Sequence, residues 1–181
     1  MIPTYKALSL LLDYPSEALQ QSLSSLYDRL CLEAYLDLDS LNDIREFIIY
    51  VQSLSLTEWQ EQYVTLFDYA KGTNLYLFDH VYGSSRERGQ AMVDLKNMYQ
   101  ESGFLSCDDE LPDYLPLFLE FAAIQSSNTD AERLLTEVVH VLENMEKAIT
   151  RQQTPYTHVI STVHRLAQRA AVTVNVEGGA L

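Results

Sequence analysis

The chain has 181 residues, and its 26 acidic residues outnumber the 12 basic ones, for a net charge of −14 and a pI near 4.5. With no Lys/Arg cluster to displace counterions from phosphates, nucleic acid and anionic membrane surfaces are excluded as partners, whereas a basic peptide or protein surface would be attracted over long range. A hydrophobic content of 47% excludes a disordered chain, the length suits one domain, and no apolar run approaches the roughly 18 residues a membrane span requires.

Glycine (6) and proline (5) are scarce and alternating apolar–polar runs nearly absent, so the repeated three- and four-residue spacing reads as all-α. Helices are expected near 4–13, 17–34, 41–54, 58–70, 86–101, 114–126, 130–151 and 156–170. The N-terminal run from Ala7 to Leu12 is stopped by Asp13 and has no charged region before it, so it is not a signal peptide, and the protein is expected in the cytoplasm. Ser16 and Ser40 are candidate N-caps. Thr57 with Gln60, Ser84 with Glu87 and Thr129 with Glu132 repeat the capping-box spacing. Gly103 follows the helix over 86–101, as a C-terminal cap glycine should. From Ala131 through Leu135, Val138, Leu142 and Met145 to Ile149 one apolar face runs the length of 130–151. The tail from Val172 carries no helical pattern and is expected to be loose or briefly extended, giving a helical domain over 1–170 and a flexible tail over 171–181.

The most informative stretch is Asp108 to Phe121, DDELPDYLPLFLEF. Asp108, Asp109, Glu110 and Asp113 stand directly against apolar and aromatic residues, with Pro112 and Pro116 fixing the geometry between them. Acid beside bulky apolar surface suits a ligand that is itself basic and apolar, a peptide rather than a metabolite. A structural reading accounts for the same residues: a core helix capped by Asp113, with Pro116 in its first turn, where no N–H is needed, and carboxylates at the positive end of its dipole.

Chemistry is sparse elsewhere. Cys31 and Cys107 are far apart and read as reduced thiols. His158 and His164, six apart, fall on different helix faces, and His140 reads as a packed histidine. Asp79 beside His80 has the form of a base with its orienting carboxylate, but no nucleophile accompanies it. No phosphate-binding glycine motif occurs, and a turn before a helix explains Gly83 and Gly89 better than an anion site.

Three segments together resemble one family. Tyr63-Val64-Thr65-Leu66-Phe67 looks like an aromatic-x-x-Leu-Phe motif. Leu77 to Val81, continuing through Arg86 to Met92, looks like a characteristic loop and following helix. Glu110-Leu111-Pro112-Asp113-Tyr114 resembles an acidic-Pro-Asp motif, with Tyr114 where many members have histidine. On these residues the chain resembles the NarJ family, chaperones for assembly of molybdenum-containing respiratory nitrate reductase within the wider TorD-like group of redox-enzyme chaperones. The resemblance covers about residues 1–170. It implies a single-domain TorD-like helical bundle that is not an enzyme and retains neither cofactor nor metal. It implies a protein that binds the N-terminal peptide of the catalytic (alpha) subunit of nitrate reductase and holds that subunit for insertion of molybdenum cofactor and an iron–sulfur cluster before membrane attachment. Proteins of molybdenum cofactor biosynthesis are further implied partners.

The peptide-binding residues expected on this basis are Tyr63, Leu66, Phe67, Tyr69, Phe78, Asp79, His80, Arg86, Glu110, Pro112, Asp113, Tyr114 and Phe118. Tyr76 would extend the aromatic wall, and Asp108 the acidic set. Leu66 and Phe67 also read as core, and Arg86 and Arg88 as partners of local acids such as Asp79. The competing readings are a chaperone of another molybdoenzyme exported by the twin-arginine route, and a helical metal-dependent hydrolase built on Asp79 and His80.

Overall fold

The computed structural model describes residues 2–83, 85–104 and 110–178, with side chains described as far as Thr173. Cys107, Asp108, Asp109 and the Ser84 cap lie outside the described residues. Among these residues the chain forms nine α-helices: α1 (Pro3–Leu12), α2 (Glu17–Glu33), α3 (Leu38–Gln52), α4 (Leu56–Val64), α5 (Glu87–Glu101), α6 (Leu115–Ala123), α7 (Asn128–Glu137), α8 (Val139–Thr150) and α9 (Tyr156–Gly178). A π-helical turn (Thr65–Tyr69) continues α4, and a 3-10 turn (Leu77–His80) precedes α5. The only pairing of strand type described is an isolated antiparallel bridge between Tyr76 and Tyr114. No described helix is long and apolar enough to cross a membrane.

The all-α expectation holds, and α9 is the axis of the bundle. Val159, Ile160, Val163 and Ala167 are fully buried, and α3, α7 and α8 pack around them. Asp43 of α3 joins two residues of α9, accepting from His158 Nδ1 at 2.7 Å and from the Arg165 guanidinium. Trp59 Nε1 donates to Tyr156 Oη at 2.8 Å and ties α4 to the start of α9. A second layer is α1 packed on α6 and α2, pinned by the Ile2 N–H to the Ala123 carbonyl.

Several boundaries differ from the expected ones, and side-chain chemistry explains most of them. The helix expected over 58–70 starts at Leu56, because Ser55 and Glu58 form a complete capping box two residues before Thr57 and Gln60. A carboxylate at the third helical position also suits the positive helix end better than an amide. Asp37 displaces Ser40 as the cap of α3, accepting from the Ser40 N–H at 2.8 Å, and that bond holds its carboxyl below the usual range. Ser127 displaces Thr129 as the cap of α7, while Glu132 accepts from the Tyr35 hydroxyl instead.

The expected helix over 130–151 is two helices, broken at Val138 (φ −111°, ψ 7°). Thr136, Val138 and Val139 are β-branched and hold the helix weakly there, and both halves pack on α9. α9 itself runs on to Gly178, past the expected end at 170. Once a helix is nucleated, each added residue needs only to propagate it, which Val172 and Thr173 do at modest cost. His140, expected to be packed, is exposed. Ser16 caps α2 as expected, and Gly103 follows α5 at φ +73°.

Candidate functional site

The site forms where the segment after α4 meets the segment before α6. Thr65 to Tyr69 widen into a π-turn, a geometry common at functional positions. The turn buries Leu66 and Phe67 and leaves Tyr69 81% exposed. The chain then reverses through Gly72 (φ +79°). Thr73 Oγ1 fastens the reversal by donating to the Leu66 and Ala70 carbonyls. Asn74 organises the next turn: its Oδ1 accepts the Tyr76 N–H, its Nδ2 donates to Asp79 at 3.1 Å, and its carbonyl lies 2.8 Å from His80 Nε2.

The second segment closes on the first through main chain. Leu77 N–H donates to the Asp113 carbonyl at 2.9 Å, and Leu115 N–H to the Leu75 carbonyl at 2.8 Å. The Asp113 carboxylate accepts the Phe78 N–H at 3.0 Å, while Tyr99 of α5 donates its hydroxyl to the Pro112 carbonyl at 2.8 Å. Asp113 is therefore not the cap of α6. That position belongs to Tyr114, with Pro116 second in the helix, where its missing N–H costs nothing. Asp113 is fully buried, and its Oδ1 has no hydrogen-bond partner among the described residues. Burial pushes its carboxyl up, against the lowering effect of the Phe78 N–H.

Aromatic side chains line the junction. Tyr63 and Tyr114 share a hydroxyl hydrogen bond of 2.7 Å, and the Tyr63 hydroxyl also bonds the Leu12 carbonyl at 3.0 Å. Tyr63 stacks against Phe67 at 4.7 Å and edge-on to Tyr14 at 5.6 Å, while Tyr76 leans on Tyr114 at 5.5 Å. Tyr76 donates to Glu110 at 2.9 Å, and burial together with that carboxylate pushes its phenol up to about 12.

Four recesses adjoin one another around this cluster. The first, about 360 Å³, lies between α1 and α6 over Asp13, Tyr114 and Glu120. It shares Glu110 and Tyr114 with a recess of about 190 Å³ beside Tyr63 and Asp68. That one shares Tyr14 with a recess of about 420 Å³ at Tyr69, which shares Glu61 and Thr65 with the largest, about 490 Å³, against Gln153 and Pro155. Every member of the belt carries a carboxylate; the cation on it, Lys6, is paired with Glu120 at 2.6 Å.

The expected site residues separate by position. Tyr63, Leu66, Phe67, Asp113 and Phe118 are buried and frame the site. Tyr69, Glu110 and Tyr114 line the belt. Phe78 and Pro112 are half-buried beside it. Asp79 pairs with Arg88 at 2.6 Å, as expected of a local acid, whereas Arg86 is exposed and makes no ion pair among the described residues. Asp79 and His80 are each bonded to Asn74 rather than to each other, so the pair does not form a base with its orienting carboxylate. No cluster of three or more metal-ligating side chains occurs among the described residues. Tyr14, Asp13, Glu61 and Asp68 were not read as site residues from the sequence. Only Asp13 carried a signal, as the charge that stops the first apolar run.

Residues 32–161 match the family model described as nitrate reductase delta subunit. The chain is 34% identical over 182 residues to a Bacillus subtilis protein named probable nitrate reductase molybdenum cofactor assembly chaperone NarJ, with 97% of this chain and 94% of that one covered. It is 33% identical over 162 residues to the nitrate reductase molybdenum cofactor assembly chaperone NarJ of Escherichia coli K12, covering 90% and 68%. A crystal structure of an Archaeoglobus fulgidus protein assigned to redox enzyme maturation superposes with a TM-score of 0.66 at 16% identity, covering 92% of this chain and 93% of that one. That likeness shows the fold, the all-helical TorD-like bundle.

Proposed function

We propose that this chain, which belongs to the nitrate reductase delta subunit family, is a NarJ-type assembly chaperone for a nitrate reductase and works in the cytoplasm by binding rather than by chemistry. Its client is the catalytic subunit, recognised through an N-terminal segment and held while molybdenum cofactor and an iron–sulfur cluster are inserted. The carboxylate-lined belt around the Tyr63–Tyr114 pair carries this reading. An amphipathic peptide helix needs apolar anchorage and complementary charge along one groove. The belt offers tyrosine faces with Asp13, Asp68, Glu61 and Glu110 beside them. Tyr69, Tyr114 and Glu110 would contact the peptide, while Tyr63, Leu66, Phe67, Asp113 and Phe118 hold the wall in place.

Affinity capture from cells respiring nitrate tests this directly. Recovery of the nitrate reductase catalytic subunit, lost when its N-terminal segment is deleted, is the expected outcome. Recovery of a different molybdoenzyme in its place would move the client to the twin-arginine-exported class.

A further inference from the structure

A fifth recess, about 420 Å³, lies between α1 and α2, next to the belt, sharing Lys6 and Leu10 with the recess between α1 and α6. On α1 it is lined by Pro3, Lys6, Ala7 and Leu10. On α2 it is lined by Ser22, Ser25, Leu26 and Arg29. Both sets keep the same register, with steps of three, four and seven from the first residue, so each helix presents one stripe to a shared open trough. Ala7 and Leu26 form a buried floor, and Ser22 and Ser25 are short and exposed. A third helix could therefore lay its ridge between the two, as helices pack ridge into groove.

Charge sets this trough apart. Each of the four belt recesses carries a carboxylate, whereas this one carries none and has two cations, in a chain whose acids outnumber its bases 26 to 12. Lys6 lies on the divide, lining both this trough and the adjoining belt recess, and is held there by Glu120 at 2.6 Å. Arg29 is exposed and makes no ion pair among the described residues. We propose that the α1–α2 trough docks an amphipathic helix of a partner protein whose apolar stripe is flanked by acidic residues. The client peptide of the belt has the opposite charge, so the two surfaces select different partners. The area involved is small beside a standard interface, so the contact is a transient one.

The test uses the full chain and two fluorescent designed helices, each about four turns long, with the same leucine stripe flanked by glutamate in one and by lysine in the other. Ser25→Trp fills the trough and Arg29→Glu reverses its charge, both at exposed positions. The glutamate-flanked helix is expected to bind, about tenfold or more weakly to Arg29→Glu, not measurably to Ser25→Trp, and less tightly as salt rises. Binding of the lysine-flanked helix should be the same in wild type and Ser25→Trp, which separates this trough from the belt. The proposal is overturned if the glutamate-flanked helix does not bind, or binds both variants as it binds wild type. Saturation of the trough by a fatty-acid probe such as myristate, with no binding of the helix, would equally replace the partner-helix reading. Should Ser25→Trp lose its helical signal, Arg29→Glu alone decides.

Discussion

The carboxylate of Asp113 accepts the backbone N–H of Phe78 at 3.0 Å across a separation of 35 residues, joining the two segments that build the candidate site. One oxygen makes that bond, and the other is buried without a partner among the described residues. Burial raises the carboxyl pKa in the folded chain, so the folded state holds the proton more tightly than the unfolded state. Stability therefore falls as pH rises through the raised value and is recovered as pH falls toward the ordinary aspartate value of about 3.9. Asp113→Asn removes this dependence. Its unfolding free energy relative to wild type should be flat below about pH 4, increase as pH rises above that, and level off once pH passes the raised value, in urea titrations across the range. Asp113→Ala, which also strips Phe78 of its acceptor, should cost about 1–3 kcal/mol at the acid end.

The Tyr63–Tyr114 hydroxyl pair couples the floor of the belt to its wall. Tyr63→Phe orphans the buried Leu12 carbonyl as well as the Tyr114 hydroxyl and should destabilise by about 1–3 kcal/mol. Tyr114→Phe leaves the Tyr63–Leu12 bond intact and should cost about 0.5–1.5 kcal/mol. The double variant should fall short of the sum, because the shared bond is lost only once. Equilibrium denaturation of the three variants measures this.

The helical class of the fold was legible because the three- and four-residue spacing repeats in nearly every segment, and the family motifs named the region of the site. What periodicity did not carry was local. The apolar series from Ala131 to Ile149 is unbroken, so it could not show the turn at Val138. Overlapping cap patterns at Ser55 and Thr57 were resolved only by which side chain reaches back, the Glu58 carboxylate to the Ser55 N–H rather than the Gln60 amide to Thr57. Asp113 reads from the sequence as the cap of the following helix or as a carboxylate for a basic peptide, yet the main chain of Leu77 and Phe78 draws it inward. Tyr14, just past α1, and Asp68 join the belt only because Tyr14 packs edge-on to Tyr63 and shares a recess with Asp68, a contact between distant segments that no local pattern encodes.

Two glycines at the ends of α5 separate conformational from steric effects. Gly103 has φ +73° and Gly89 has no positive φ, and an added Cβ would meet nothing within 4 Å at either position. Gly103→Ala should destabilise by about 1 kcal/mol, and Gly89→Ala, inside the helix, should stabilise by about 0.5–1 kcal/mol. Thermal denaturation read by helical circular dichroism would resolve the opposite signs.

The acidic tyrosine belt is expected to bind a basic amphipathic segment. The most direct measurement is a calorimetric titration of the chain with a synthetic peptide of the N-terminal segment of the nitrate reductase catalytic subunit, repeated with Glu110→Lys and Tyr69→Ala. The expected result is saturable binding to wild type, weakened about tenfold or more by Glu110→Lys and by rising salt, and weakened by Tyr69→Ala, with the helical signal unchanged. Binding that is absent, or equal in wild type and both variants, would contradict it.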